Sequence, residues 1–211
     1  MKWIILTFLY LLTGANSTYK FDYRLVYEWH NYKYATISTT NIYGNKNNNN
    51  FYAETFFDSN PKYNFRFYDL NKISLSAGTT GDFKNPGDIT LPKDQTGQGS
   101  QYFPDQSKHY NMTRITDTIV REKNYARFVV GMTNLKRAKR RNVGTMIYHL
   151  DTTVDVKPIF HHFLMTFLYN KSAIPNGVIS EMHYYDVYGK LVSSKFLKEM
   201  SDTKFTLTLT E

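Results

Sequence analysis

The 211-residue chain contains no cysteine. That absence excludes disulfides, thiol nucleophiles, cysteine-ligated zinc and a lipid carried on an N-terminal cysteine. Glycine and proline are sparse, 11 and 6 residues, so collagen-like and low-complexity readings fall away. Acids are outnumbered, 18 against 26 Lys and Arg, and the formal net charge of +8 implies attraction to anionic partners. No G-x-S-x-G, H-E-x-x-H or G-x-x-x-x-G-K motif occurs. No nucleic-acid-binding motif occurs either, and nucleic acid is set aside as a partner.

The N-terminus reads as an export leader. Met1 and Lys2 give a short positive start, and Trp3 to Leu12 form an apolar run shorter than the roughly 20 residues that span a bilayer. Ala15 and Ser17 stand at the small-residue positions of a cleavage site, which places the cut after Ser17 and the mature start at Thr18. Loss of Lys2 with the leader lowers the net charge to +7, still strongly basic. Residues 18–211 then suit one domain that works secreted or in a periplasm.

Along that domain the dominant period is two. Phe21, Tyr23, Leu25, Tyr27 and Trp29 share one side of an extended segment, opposite Lys20, Asp22, Arg24, Glu28 and His30. Further strands are expected over Tyr34–Tyr43, Phe51–Phe57 and Tyr63–Phe67, with the Asn47–Asn50 tract as a turn. Strands follow over Ile115–Arg121, Tyr125–Met132, Val143–Leu150, Val178–Asp186, Leu191–Leu197 and around Phe205–Leu209. Between them, 77–108 is polar and rich in Gly and Pro, and reads as a mobile loop.

The period changes once. Ile159, Phe160, Phe163, Leu164, Phe167 and Leu168 fall on one helical stripe, with Pro158 suited to a first turn, so a helix is expected over Ile159–Tyr169. The fold class that follows is mainly β (α+β): a curved antiparallel sheet or half-barrel of about nine strands packed on one main helix.

Phe, Tyr and Trp make up 17% of the chain, more ring area than one helix covers, which leaves apolar face to shelter under the loop or against a ligand. Tyr23, Leu25, Tyr27, Trp29, Phe65 and Phe67 on strands, with Phe163 and Phe167 on the helix, are therefore the candidate ligand-binding residues. Lys136, Arg137, Lys139, Arg140 and Arg141 form the densest basic cluster and read as an exposed hairpin turn able to contact an anionic membrane or glycan surface.

Catalytic signals are weaker. His161 and His162 are adjacent, so on a helix they point about 100 degrees apart and grip one metal poorly. His149 with Asp151 and Asp155 has no fixed ligand spacing. Glu28, Glu54, Glu122 and Glu181 offer carboxylate pairs on paper, as any domain with this many acids does. No catalytic residue, metal ligand or cofactor is assigned.

The segments FDYRLVYEW, NIYGNKNNNNFYAETFFD, NFRFYDLNKISLS and IPNGVISEMHYYDVYGKLVSSKFLKEMSDTKFTLTL resemble bacterial envelope proteins related to the outer-membrane lipoprotein carriers. The resemblance implies a half-barrel around an apolar cavity with helices as the plug, and an apolar or lipid-like ligand. The preferred expectation is a non-enzymatic exported binding protein. The alternatives are a secreted protein that binds anionic polymers through the basic turn, and a carboxylate-dependent hydrolase.

If the leader is read correctly, N-terminal sequencing of exported protein begins at Thr18. Exported protein that keeps Met1 to Leu12 would reject it.

Overall fold

The computed structural model describes residues 16–57, 63–70, 73–79, 87–93, 96–98, 103–120, 122–160 and 162–210. The expected leader, apart from its last residues, lies outside them. Among the described residues twelve strands and three short helices occur in the order β1 Ser17–Asn31, β2 Thr36–Asn45, β3 Asn48–Phe57, β4 Tyr63–Asp69, β5 Ile73–Thr79, β6 Ile89–Pro92, β7 Thr96–Gln98, α1 Phe103–Ser107, β8 Tyr110–Val120, β9 Lys123–Met132, α2 Leu135–Arg141, β10 Thr145–Asp151, α3 Phe163–Tyr169, β11 Val178–Tyr185 and β12 Leu191–Thr210. Eleven strands follow the path β7-β5-β4-β3-β2-β1-β12-β11-β10-β9-β8 with antiparallel pairing, and β6 lies parallel beside the end of β12. Among the described residues the path does not close, so the sheet is curved and open, as the alternating pattern implies.

Among the described residues the strands number twelve where about nine are expected, because β5, β6 and β7 add to the expected set even though two expected strands merge into β12. Leu191–Leu197 and Phe205–Leu209 are one strand of 20 residues, because bulges against β1 between Phe21/Tyr23 and Val26/Tyr27 absorb the irregular stretch between them. Within the expected loop 77–108, the described residues form the end of β5, then β6, β7 and α1, with 87, 88, 93 and 108 beside them; the rest lies outside the described residues. The asparagine turn is confined to Lys46 and Asn47. Asn48, Asn49 and Asn50 open β3, and Asn49 is buried where its Nδ2 donates to the Pro158 carbonyl at 3.2 Å.

Three apolar clusters hold the sheet. In the first, Phe21, Tyr43, Phe65, Phe67, Leu75, Phe205, Leu207 and Leu209 pack together, with Ile89 and Leu91 of β6 against them. Phe21 stacks on Phe205 at 4.3 Å between ring centroids and meets Phe51 and Phe67 edge-on. Strands β2 and β3 separate β1 from β4 in the sheet, so a ring on β1 reaches Phe67 only because the bulged β1–β12 pair curls back over β3 and β4. Each such ring pair adds about 0.5–1.5 kcal/mol beyond its area.

The second cluster joins Tyr23, Leu25, Tyr27, Ile42 and Tyr52 to Val156, Ile159 and Val178. Its cover is an extended strap, Val154–Ile159, tied down by Lys157 N–H to the Lys46 carbonyl, by Gly177 N–H to the Val156 carbonyl, and by Asn49. The third cluster places Phe160, Leu164, Met165 and Tyr169 against Met112, Phe128, Val130, Tyr148, Leu150 and Ile179 of β8–β11.

This division corrects the expected start of the main helix. α3 begins at Phe163, not Ile159, because His162 is its N-cap: the His162 backbone is extended and its Nδ1 accepts from Leu164 N–H at 3.2 Å. Successive residues of an extended chain point to opposite sides, which sends Ile159 into the second cluster and Phe160 into the third. A helix would have set both on one stripe.

The basic segment is corrected likewise. It does link the adjacent strands β9 and β10, but as the helix α2 and not as a bare turn. Asn134 caps it by accepting from Arg137 N–H at 2.9 Å, Asn142 ends it in the left-handed region (φ 52°), and Ala138 is its one buried side chain. Lys and Arg are good helix formers, and cations at a helix C-terminus suit its dipole.

Gly44 is required where the strap crosses β2. A Cβ there would stand 2.2 Å from Ile159 Cδ1 and 2.6 Å from Tyr23 Oη, both on buried side chains. Gly44→Ala should therefore cost about 1–3 kcal/mol in urea unfolding, the usual range for overpacking. A change within error would mean that the strap gives way freely.

Candidate functional site

α3 and the neighbouring ends of β8–β11 do not pack flush. A groove of about 410 Å³ runs between them, lined by Trp29, Val130, Met146, Leu164, Met165 and Met182, with Gln106, Tyr110, His162, Tyr184 and Ser193 as its polar members. The size lies within the 300–1,000 Å³ usual for small-molecule sites, and the makeup fits: mostly apolar walls and a few polar groups that could fix orientation. Methionine contributes three of the walls, a flexible and polarisable lining that adapts to irregular shapes.

Trp29 stands at one open end. It follows Tyr27 on the same side of β1, and at 41% exposure it is far more open than the buried Tyr23, Leu25 and Tyr27. At another end Asn142, Val143 and Gly144, the residues that leave α2, form the rim. Beyond that rim a second hollow includes Lys33 and Lys190, so cationic side chains stand next to the apolar groove. On α2 itself Lys136, Lys139, Arg140 and Arg141 are exposed. Arg137 is different: half-buried, it faces His109 Nδ1 at 3.0 Å. Burial, then Arg137, Arg141 and Lys108, holds the His109 imidazole below its usual pKa, so it stays neutral and can accept from Arg137.

The eight strand and helix residues singled out from the sequence occupy separate places. Tyr23, Leu25 and Tyr27 belong to the strap cluster, with Tyr27 Oη donating to the Ile179 carbonyl at 2.7 Å. Phe65 and Phe67 lie in the cluster under the curled β1–β12 pair. Phe167 is half-buried, with the Lys171 ammonium 4.0 Å from its ring centroid. Phe163 opens α3, and its side chain lies outside the described residues, as does His161. Among those whose side chains are described, Trp29 alone lines the groove. The groove methionines carry no periodic signal of their own; Met146 and Met182 become partners only through the register of β10 with β11, which places Met182 opposite Tyr148.

The carboxylates are dispersed as well. Glu54 is buried beside Tyr68 and 3.7 Å from Arg66. Glu28 is held by His30 and Lys198, Glu181 by His183, and Glu122 sits in the β8–β9 turn.

One further buried charge lies near the groove. Lys195 of β12 stands opposite Trp29 on one side and Met182 on the other, 7% exposed, with its ammonium 5.2 Å from the Tyr27 ring centroid. Desolvation lowers its pKa to about 7, against a smaller opposing pull from Glu54. The unfolded lysine titrates near 10.4, so between those values the unfolded chain binds more protons and stability rises with pH. Urea unfolding should show the protein gaining stability from pH 7 to pH 10, a gain that Lys195→Met abolishes while raising stability at pH 7. An equal rise in both proteins would show that Lys195 is not the source.

No family model matches the chain, and no curated protein matches it. Among solved structures it is similar to a chain of the Pseudomonas aeruginosa MucA/MucB complex, at 11% identity and a TM-score of 0.48, over 86% of this chain and 51% of that one. It is also similar to a candidate outer-membrane lipoprotein-sorting protein domain from Vibrio parahaemolyticus (6% identity, TM-score 0.34, 88% and 85% covered). A LolA superfamily protein from Nitrosomonas europaea gives 6% identity and a TM-score of 0.31 over 86% and 85%. The chain thus spans about half the length of the MucA/MucB chain. The weak resemblance to lipoprotein-sorting proteins read from the sequence is present in the structures too, at a level where the site's own geometry must carry the functional argument.

Proposed function

We propose that this protein is an exported, non-enzymatic binding protein that takes an apolar or lipid-like ligand in the groove beside α3, with α3 as the gate and an anionic end group directed toward the cationic side chains beyond the rim near α2. The observation that carries the reading is the groove itself: apolar, methionine-lined and open at Trp29, while the two other clusters are filled by the chain's own side chains. Burial of an alkyl chain there gains roughly 0.8 kcal/mol per CH₂ group, enough for micromolar affinity with a chain of modest length. Export through the N-terminal leader, to a periplasm or beyond, is part of the same proposal. The weaker alternative, adhesion to anionic polymers, is favoured by the exposure of Lys136, Lys139, Arg140 and Arg141 on one short helix.

Trp29 allows a direct test. The chain has two tryptophans, and Trp3 leaves with the leader, so in protein starting at Thr18 the tryptophan emission comes from the groove. Titration with a medium-chain fatty acid should shift that emission to the blue and saturate. Met182→Asp should abolish the shift, because a carboxylate would have to lose its water in an apolar site. Lys139→Glu, Arg140→Glu and Arg141→Glu together should weaken fatty-acid binding in a salt-dependent way and leave a neutral alcohol of the same length unaffected. Circular dichroism and cooperative melting establish that the variants are folded. A folded wild-type protein whose emission never responds sinks the ligand reading; salt-sensitive adhesion to anionic vesicles that the α2 variant loses would then favour the alternative.

A further inference from the structure

On the face of β10–β12 turned away from the groove, three potential metal ligands converge. His149 of β10 stands in register with Glu181 of β11, and His183 follows two residues along β11 on the same side. A bulge at this point leaves Ser180 unpaired, so Ile179 remains in the core while Glu181 and His183 both face outward. Glu181 Oε2 lies 3.1 Å from His183 Nε2 and 3.3 Å from His149 Nδ1. One ligand atom from each of the three lies within 4.8 Å of the others, and the two imidazoles meet edge to face with ring centroids 5.3 Å apart.

These separations have a specific meaning. A tetrahedral ion with bonds of about 2.0–2.1 Å holds its ligand atoms about 3.3–3.4 Å apart. The two carboxylate–imidazole spacings are already close to that edge, so small rotations suffice to bring the ligand atoms onto a common centre. His183 is also oriented from behind. Its Nδ1 lies 2.8 Å from Ser194 Oγ, and Ser194 is fully buried. A hydroxyl that accepts from Nδ1–H fixes the tautomer in which Nε2 presents its lone pair, the outer support usual for a metal-bound imidazole.

His149 supplies a second independent observation. Its Nδ1 is shielded from solvent, and although Glu181 is near, no hydrogen bond of acceptable geometry reaches it among the described residues. Arg127, opposite His149 on β9, is a charge that opposes a cation here. Glu181 is partly accessible and also borders an open hollow with Tyr125, Phe196 and Lys198, which offers the ion a route in.

We propose that His149, Glu181 and His183 form a binding site for one divalent ion of borderline softness, Zn²⁺ being the representative, with the fourth position left to water. Two imidazoles and one carboxylate suit Zn²⁺, Co²⁺ or Ni²⁺ and disfavour the all-oxygen ions Ca²⁺ and Mg²⁺. The site stands apart from the ligand groove and does not depend on that reading.

Chelator-treated protein starting at Thr18, titrated with ZnCl₂ by calorimetry, should bind one equivalent with Kd below about 10 µM and show no uptake of CaCl₂ or MgCl₂. Co²⁺ should give the visible absorption of a low-coordinate site. His183→Gln and His149→Gln should each weaken this binding at least about tenfold, and Ser194→Ala, which removes no ligand, should weaken it by about the same factor through the lost support. Glu181→Gln serves as the isosteric variant should either histidine variant fail to fold. Absence of one-equivalent Zn²⁺ binding to the folded wild-type protein overturns the proposal. So does unchanged affinity in a folded variant of His149, Glu181 or His183, since the ion would then be held elsewhere.

Discussion

β1 and β12 are paired from Ser17↔Leu209 to Asn31↔Ser193, and the two register shifts along that pairing decide the shape of the molecule. Bulges bend a strand pair and increase its twist. Here the bend carries Tyr19 and Phe21 off the general run of the sheet and over β3 and β4, where Tyr19 Oη donates to Asp69 at 2.7 Å and Phe21 meets Phe51 and Phe67. The other ends of the same strands stay in the broad sheet, with Trp29 at the groove and Ser194 behind His183. One strand pair therefore closes a core at one end, supplies a wall of the groove at the other, and orients a histidine on the reverse face.

Much of this was legible because period-two patterning survives bulges. The alternation from Phe21 to Trp29 marks the buried side of β1 correctly up to its exposed last ring, and the later strands fall where apolar runs meet turn residues. What could not be read is where the chain covers itself. Ile89 and Leu91 are two apolar residues in a polar stretch and gave no periodic signal, yet they pack against the core under the curled strands. Val154, Val156 and Ile159 are spaced two and three apart and so carry no alternation, and the helical stripe that starts at Ile159 obscures the end of the strap. The sequence does show that one helix covers too little of the sheet; it does not say that a strap and a short parallel strand supply the rest.

The candidate sites show the same limit more sharply. His149 invites grouping with Asp151 and Asp155, its neighbours in sequence, but Asp151 is taken by Lys123 and Thr153 and Asp155 by Asn176. Its real neighbours, Glu181 and His183, lie more than thirty residues on and arrive through strand register, which a single sequence does not encode. The groove is likewise assembled from α1, α3 and six strands, with Trp29 as its one aromatic that alternation could have marked.

The uneven filling of the sheet explains why space remains where it does. Under the curled strands, stacked and edge-on rings interlock, and the strap is tied at three points by hydrogen bonds from Lys157, Gly177 and Asn49. α3 has only seven residues, about two turns, and meets four strands. A helix that short presents one stripe, here Leu164, Met165 and Tyr169, and cannot follow a twisting surface to its end. The volume left uncovered falls at the helix N-terminal side, where the flexible side chains of Met146, Met165 and Met182 border it. A longer helix or a bulkier ring at Met182 would have sealed that face as the other clusters are sealed. The groove thus follows from a cover too short for its sheet, and methionine is the residue best able to line such a gap in more than one shape.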